Sequence, residues 1–187
     1  YLKVIFNTND ELSLQRIVNV PRRGIGKVSL MKAVLYSKEM QIPLFKVMSN
    51  ARKYSSISKD SALTMEVFAG IIENYRQRFS IESIFNVLED LLDEIGYISF
   101  LETQKSDIKL RERRVNNVNE LLLSVKNYSE KNPKANLQSY LERVSFLSEI
   151  DENSENKANK VSIMTLHSAK GLEFSYVFMV GMSEGIF

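Results

Sequence analysis

The sequence has no cysteine, no tryptophan and a single histidine, and these scarcities exclude several kinds of site. Without cysteine, the chain can form neither a disulfide framework nor a thiolate metal site. With His167 as the one imidazole, a structural zinc site is not expected, and we predict no metal site. No apolar run approaches the roughly 20 residues that a membrane-spanning helix needs, so we expect no membrane partner and a cytoplasmic location.

The common fingerprints of nucleotide hydrolysis and nucleophilic catalysis do not occur either. The pattern GxxxxGK[ST], which cradles nucleotide phosphates, is found nowhere in the 187 residues. A GxGxxG loop is excluded because Ser29 stands three positions after Gly26. A Ser/His/acid triad is not credible, since Ser168 directly follows His167 and no nucleophile elbow surrounds it. We therefore predict no catalytic residue in this chain.

Hydrophobic residues make up 44% of the chain, which predicts a folded core, and most of it has helical periodicity. The clearest helix is expected to start at a Ser80 cap and to end at Gly96. Asp10 or Asn9, and later Asn136, are further candidate caps. We predict that the apolar helix stripes face the core; they are Leu12, Leu14, Ile17 and Val18; Val28, Met31 and Leu35; Leu63, Val67, Ile71 and Tyr75; Ile84, Val87, Leu88, Leu91, Leu92 and Ile95; Val115, Val118, Leu121, Leu122, Val125 and Tyr128; and Leu137, Tyr140, Leu141, Val144 and Leu147.

The pattern changes near residue 151. Residues 151–159 are acidic and rich in Asn, which predicts a linker. Residues 161–166 and 176–180 are apolar runs of strand length, typical of strands buried in a parallel sheet. Because two strands cannot form such a sheet alone, we expect their partners, and both chain ends, to lie within a longer protein. Exposed strands of this kind are expected to promote self-association.

Positive charge is concentrated in residues 16–59, which hold ten Lys and Arg residues and one acid, Glu39, although the net charge of the whole chain is only +2. Such a segment is either the footprint of a phosphate-backbone binder or a solvated basic surface, and charge alone favours neither.

Within this segment, residues 20–27 read Val-Pro-Arg-Arg-Gly-Ile-Gly-Lys and precede a predicted helix. Glycine lets the backbone turn and approach a ligand, and the amides at a helix start can receive phosphate. Ile25 would anchor the turn in the core. We favour a helix-hairpin-helix-like turn that binds the DNA backbone over a purely structural turn. The predicted DNA-binding residues are Arg22, Arg23, Gly24, Ile25, Gly26 and Lys27.

A second polar turn, at residues 165–174, reads Thr-Leu-His-Ser-Ala-Lys-Gly-Leu-Glu-Phe and follows the first predicted strand. Ligand sites in open parallel sheets lie at such strand ends. This decapeptide resembles motif V of the UvrD/Rep/PcrA-type superfamily 1 DNA helicases, and residues 177–187 continue the match. Residues 1–5 and 10–26 resemble the entry to the family's 2B subdomain, and residues 114–120 resemble a family helix. The resemblance covers essentially the whole chain.

The resemblance implies a mainly α fold with the GIG turn in a helical 2B-like bundle. On this mapping, residues 1–9 end a helix of the 2A domain, residues 10–150 form the DNA-binding 2B-like subdomain, and residues 151–159 are the linker. Residues 160–187 would be a β-turn-β piece of the RecA-like parallel sheet of 2A, a fold of the P-loop NTPase type. The 1A domain and the rest of 2A are implied as partners in the same chain, in the cytoplasm or nucleoid of a bacterium.

The resemblance also implies roles for the motif V positions. Thr165 and His167 match positions that approach the backbone of single-stranded DNA, while Glu173 and Gly171 match positions at the nucleotide. Lys170 matches a position that couples the two sites. A turn that touches both ligands can transmit closure of the ATP cleft to the grip on the strand.

The implied parent protein is an ATP-dependent DNA helicase that uses ATP and Mg²⁺, translocates on single-stranded DNA and unwinds duplex at the junction. We expect no bound cofactor and no ATPase activity for these 187 residues alone, because the Walker A, Walker B and motif VI positions fall outside them. Two alternatives remain open: a non-enzymatic helical module whose basic segment binds an acidic protein or serves as a regulatory surface, and an AddA/RecB-type helicase–nuclease relative.

Overall fold

The structure is a computed structural model that describes residues 1–152, 161, 163, 164, 169, 170 and 172–180. It divides into two compact units, Tyr1–Glu149 and Ile150–Phe187. The described part is mainly helical, as predicted. Its helices are α1 (Leu2–Phe6), α2 (Glu11–Ile17), α3 (Lys27–Met40), α4 (Leu44–Met48), α5 (Lys59–Ile81), α6 (Ile84–Glu94), α7 (Tyr97–Glu102), α8 (Ile108–Lys131) and α9 (Leu137–Glu152), with a 3-10 turn at Ala51–Lys53. None of the helices in these ranges is long and apolar enough to cross a membrane.

Several helix boundaries follow from local capping. The Asp10 carboxylate accepts a hydrogen bond of 3.0 Å from the Ser13 amide at the start of α2, and hydrogen bonds from Ser13 hold the pKa of Asp10 below its usual value. Asn136 caps α9 in the same way, through the Ser139 amide at 2.9 Å. Gly96 ends α6 in the left-handed conformation, with a φ of 63°. These three boundaries confirm the predictions.

The predicted Ser80 cap is wrong. Ser80 lies inside α5, which continues to Ile81, and Ser83 precedes α6 instead. The extra turn of α5 keeps Phe79 buried in the core, so packing of one aromatic ring outweighs the local preference of serine for a helix start.

The core of the first unit is built around α5, which packs against α1, α4, α6 and the 3-10 turn. Phe68, Ile72 and Tyr75 of α5 are fully buried there. The predicted stripe of α6 is confirmed, because its apolar residues all lie in or against this core. The largest other side chains at full burial come from α1, α2, α4 and α6; they are Ile5, Leu14, Leu44, Met48 and Leu91.

Helix α3 faces the core with the side opposite to the one predicted. Val28, Met31 and Leu35 are more than half exposed, whereas the small residues of the other face are buried; these are Ser29, Ala33 and Ser37. Small side chains allow a helix backbone to approach its neighbour closely, and α3 packs mainly on α4. The prediction failed here because it assumed that the largest apolar side chains must point inward.

Five further stripe positions were also wrong. Two of them, Leu121 of α8 and Val144 of α9, are 37% and 45% exposed. Leu63 and Val67 of α5 are exposed, since the buried face of that helix passes through Met65 and Phe68 instead. Leu12 of α2 is exposed as well, although Leu14 two positions later is fully buried.

A carboxylate joins the helices that surround the turn between α2 and α3. One oxygen of Glu11, in the first turn of α2, accepts a hydrogen bond from the Leu44 amide at 3.3 Å. The same oxygen lies 3.4 Å from the Ser37 hydroxyl, whose closer acceptor is the Ile42 carbonyl at 2.7 Å. Glu11 therefore satisfies a free amide at the start of α4 and links α2 to α4.

In the second unit, the described residues between 161 and 180, which we term the C-terminal segment, form neither helix nor strand. They contain one turn, in which the Leu172 amide donates to the Ala169 carbonyl at 3.0 Å. The two predicted strands, and with them the RecA-like sheet piece, are not confirmed. The physical reason is that a strand needs a hydrogen-bonded neighbour, and the described part of the chain supplies none for this segment. Residues 153–160, 162, 165–168, 171 and 181–187 lie outside the described residues.

Candidate functional site

The turn between α2 and α3, residues 19–26, is termed the glycine turn. Gly24 has a φ of 78°, in the left-handed region where a side chain would be strained. The Val20–Pro21 peptide bond is cis. Gly26 returns to an extended conformation and is the N-cap of α3. These residues lead directly into the start of α3.

Asn19 holds the turn from the inside through both ends of its amide group. Its Nδ2 donates to the Ile25 carbonyl at 2.8 Å, and its Oδ1 accepts from the Ile25 amide at 3.2 Å. The side chain of Ile25 is only 3% exposed and belongs to the core. The predicted anchoring of Ile25 is thus confirmed, and Asn19 is a residue of the site that sequence reasoning missed.

Arg23 lies beneath the turn. Its guanidinium donates to the carbonyls of Ile17, Val18 and Pro21 at 3.1, 3.3 and 3.1 Å, and also to the Tyr1 hydroxyl. Its Cζ is 4.7 Å from the centre of the Phe68 ring. Most of the N–H donors of Arg23 are therefore engaged within the fold. Unlike the exposed side chains of Arg22 and Lys27, Arg23 satisfies the carbonyls at the end of α2 and supports the turn.

The outer side of the turn carries the exposed residues Arg22, Gly24, Gly26 and Lys27. Neither Arg22 nor Lys27 forms an ion pair within the residues that the structure describes. Helix α3 has no side-chain cap and no acid in its first turn. Free amides, the positive end of the helix dipole and two unpaired cations therefore face solvent together, and this arrangement favours an anion.

A second helix starts beside the first. Ser58 is the N-cap of α5, and its hydroxyl lies 3.3 Å from that of Ser29 in the first turn of α3. The Ser61 hydroxyl is 3.9 Å from the point where a Cβ on Gly26 would stand. Nothing in the spacing of the sequence indicated that the two helix starts would adjoin.

The motif V-like candidates are described only in part. Lys170 and Glu173 are exposed, while Thr165, His167 and Gly171 lie outside the described residues. In the described ranges, no group of three or more metal-ligating side chains could hold a metal ion.

The family model of the UvrD-like helicase C-terminal domain matches residues 1–187. The chain therefore belongs to the UvrD-like helicase C-terminal domain family.

Individual relatives are similar along the full chain. A probable DNA helicase II homolog of Rickettsia felis is 34% identical over 187 residues, which are 100% of this chain and 27% of the relative. The ATP-dependent DNA helicase PcrA of Staphylococcus epidermidis (strain RP62A) is 36% identical over 189 residues, with 100% and 25% covered. PcrA of Bacillus subtilis is 33% identical over 192 residues, with 100% and 26% covered. The chain thus spans about a quarter of the length of these relatives.

Proposed function

We propose that this chain is the part of an ATP-dependent DNA helicase that holds duplex DNA by its backbone through the glycine turn. The observation that carries the proposal is the exposed pair Arg22 and Lys27 at the uncapped start of α3, which have no ion-pair partner in the described part of the chain. The relatives that cover the whole chain are named DNA helicases, which supports DNA as the ligand.

In this proposal, phosphate oxygens accept hydrogen bonds from the first amides of α3, and the absence of a side chain at Gly26 lets the phosphate approach the backbone. Arg22 and Lys27 add charge. Asn19 and Arg23 fix the turn before DNA arrives, so little conformational entropy is lost on binding. Such contacts read the backbone and not the bases, so binding is independent of base sequence.

Arg23 has a supporting part in this proposal, in place of the direct DNA contact predicted from the sequence. A guanidinium that already donates to three carbonyls would have to break those bonds to reach a phosphate. Gly24 and Ile25 shape the turn, and Arg22, Gly26 and Lys27 make the contacts.

For residues 160–187 we propose the roles that the resemblance implies. Thr165 and His167 contact single-stranded DNA, Gly171 and Glu173 contact the nucleotide, and Lys170 couples the two. Residues 161–166 and 176–180 would be strands of a RecA-like sheet of the complete helicase, which would bind ATP and Mg²⁺. Alone, the 187-residue chain would hydrolyse no ATP, and its exposed apolar segment would promote self-association.

The test is fluorescence anisotropy of a labelled short duplex at increasing salt. The variant Arg22→Gln/Lys27→Gln is compared with Lys38→Gln/Lys46→Gln, which loses the same charge from the same basic segment. Lys38 lies about 16 Å along α3 from Lys27, at 1.5 Å per residue. We expect the first variant to weaken binding roughly tenfold and to lower the salt slope by up to about 2, at about 0.9 per phosphate contact.

The control variant should stay within about twofold of the parent chain, since its cations add only diffuse attraction. Equal losses in the two variants, or binding that does not depend on salt, would contradict the proposal.

One observation favours a second candidate function, a helical interaction module. The exposed apolar stripe of α3, formed by Val28, Met31 and Leu35, lies within the basic segment, and apolar residues rimmed by polar ones are typical of protein contacts. A chain that binds no duplex at low salt, but binds an acidic protein through this stripe, would favour this alternative.

A further inference from the structure

The start of α5 lies next to the start of α3 and, like it, has no side-chain cap. Its N-cap, Ser58, is exposed and makes no capping hydrogen bond, so the first amides of this 23-residue helix are free. Lys59, the first residue of the helix, is exposed and forms no ion pair among the described residues. The two helix dipoles therefore present their positive ends side by side.

Ser61 points to a ligand at this place. The residue is only 6% exposed, and its hydroxyl has no hydrogen-bond partner among the residues that the structure describes. It faces Gly26, at 3.9 Å from the position of a Cβ there. The hydroxyl is therefore available to donate to a group that enters beside Gly26.

Ser29 adds a second hydroxyl to the same place. It is 7% exposed, and its contact is the Ser58 hydroxyl at 3.3 Å, where either oxygen can be the donor. Because each hydroxyl has one donor and two acceptor positions, one donor of this pair remains free for an incoming acceptor.

We propose that the start of α5 is the second half of a phosphate cradle, in which Ser58, Lys59 and Ser61 bind the same DNA strand as the glycine turn. The inference rests on the proposed function and extends it from one helix end to two. The ligand is the phosphodiester backbone of duplex DNA. Asp60 is the one acid in the first turn of α5, and its exposed carboxylate opposes the cradle.

The central test places a carboxylate at the cap of α5. Ser58→Asp and Ser58→Asn both supply a good N-cap, so both variants should fold, but only aspartate repels a phosphate. We expect Ser58→Asp to bind duplex about fivefold more weakly than Ser58→Asn in the anisotropy assay, because both variants replace the hydroxyl and cap the helix, and only the charge differs between them. Asn136→Asp adds the same charge to the cap of α9 and should leave the affinity within about twofold.

Two further variants test the neighbouring groups. Ser61→Ala should weaken duplex binding about threefold without lowering the melting temperature, because the hydroxyl it removes has no hydrogen-bond partner among the described residues. A purely structural serine would show the reverse, a lower melting temperature with unchanged affinity. Asp60→Asn should strengthen binding about twofold.

The outcomes separate the two proposals. If Arg22→Gln/Lys27→Gln weakens binding while Ser58→Asp matches Ser58→Asn, the cradle is wrong and the glycine turn stands. If the Arg22→Gln/Lys27→Gln variant binds duplex like its Lys38→Gln/Lys46→Gln control, and Ser58→Asp binds like Ser58→Asn, the proposed function itself is wrong. If Ser58→Asp weakens the binding of a single-stranded oligonucleotide as strongly as the binding of the duplex, the assignment to duplex DNA is overturned.

Discussion

The sequence predicts two glycine-containing polar turns, the glycine turn and residues 165–174, and the chain supports the regions that hold them in different ways. The glycine turn is held by the core residue Ile25, by both ends of the Asn19 amide and by Arg23. The described residues of the C-terminal segment carry one turn hydrogen bond, and the side chains of Tyr176 and Phe178 are exposed.

The supporting contacts determine which of the two sites these residues can build by themselves. A phosphate-binding turn needs only a helix start and a few anchoring contacts, all of which the helical unit supplies. A turn at the end of a parallel strand takes its geometry from the neighbouring strands. We therefore expect backbone binding to be a property of this chain alone, and nucleotide binding to require the rest of the sheet.

Truncation of one apolar side chain in each region should change the free energy of unfolding by very different amounts. Ile25→Ala should lower the free energy of unfolding by about 3 kcal/mol, because it leaves a cavity in the core beneath the turn. Phe178→Ala removes a larger side chain, but one that is 87% exposed, and should change stability by less than about 0.5 kcal/mol. Urea denaturation followed by far-UV circular dichroism measures both.

A comparable loss of stability in Phe178→Ala would show that the C-terminal segment is packed as tightly as the glycine turn. That result would contradict the difference in support between the two regions.

A smaller effect tests whether the backbone of the turn is fixed. Gly24→Ala forces a side chain into a φ of 78° and should destabilise the chain by about 1 kcal/mol. Gly70→Ala makes the same change inside α5, where nothing lies within 4 Å of the new Cβ, and should stabilise the chain by about 0.5–1 kcal/mol. Thermal unfolding of the two variants should therefore shift in opposite directions; shifts of the same sign would mean that the turn adapts.

Sequence reasoning succeeded where one local signal decides the outcome. The caps at Asp10 and Asn136 and the left-handed Gly96 depend on a few neighbouring residues. The stripe of α6 is wide and apolar, so only one of its faces can be buried.

Sequence reasoning failed where packing against a neighbouring helix decides which face of a helix is buried. Either face of α3 could be buried on its own pattern, and contact with α4 selected the face with Ala33 over the face with Leu35. The same limit applies to the candidate site. The spacing identified Gly24, Ile25 and Gly26, but the supporting bonds of Arg23 and the proximity of Ser61 are tertiary contacts that no local pattern encodes.

The glycine turn is the proposed duplex-binding site of this chain. The most direct measurement is a titration of the ¹⁵N-labelled chain with a short duplex, followed residue by residue through amide chemical shifts. We predict that the largest shifts fall on Gly24, Gly26 and Lys27, with a second group at residues 58–61, and that they shrink as salt is raised. Shifts concentrated elsewhere, for example on the groove that Tyr128 and Arg143 line between α8 and α9, would contradict the account.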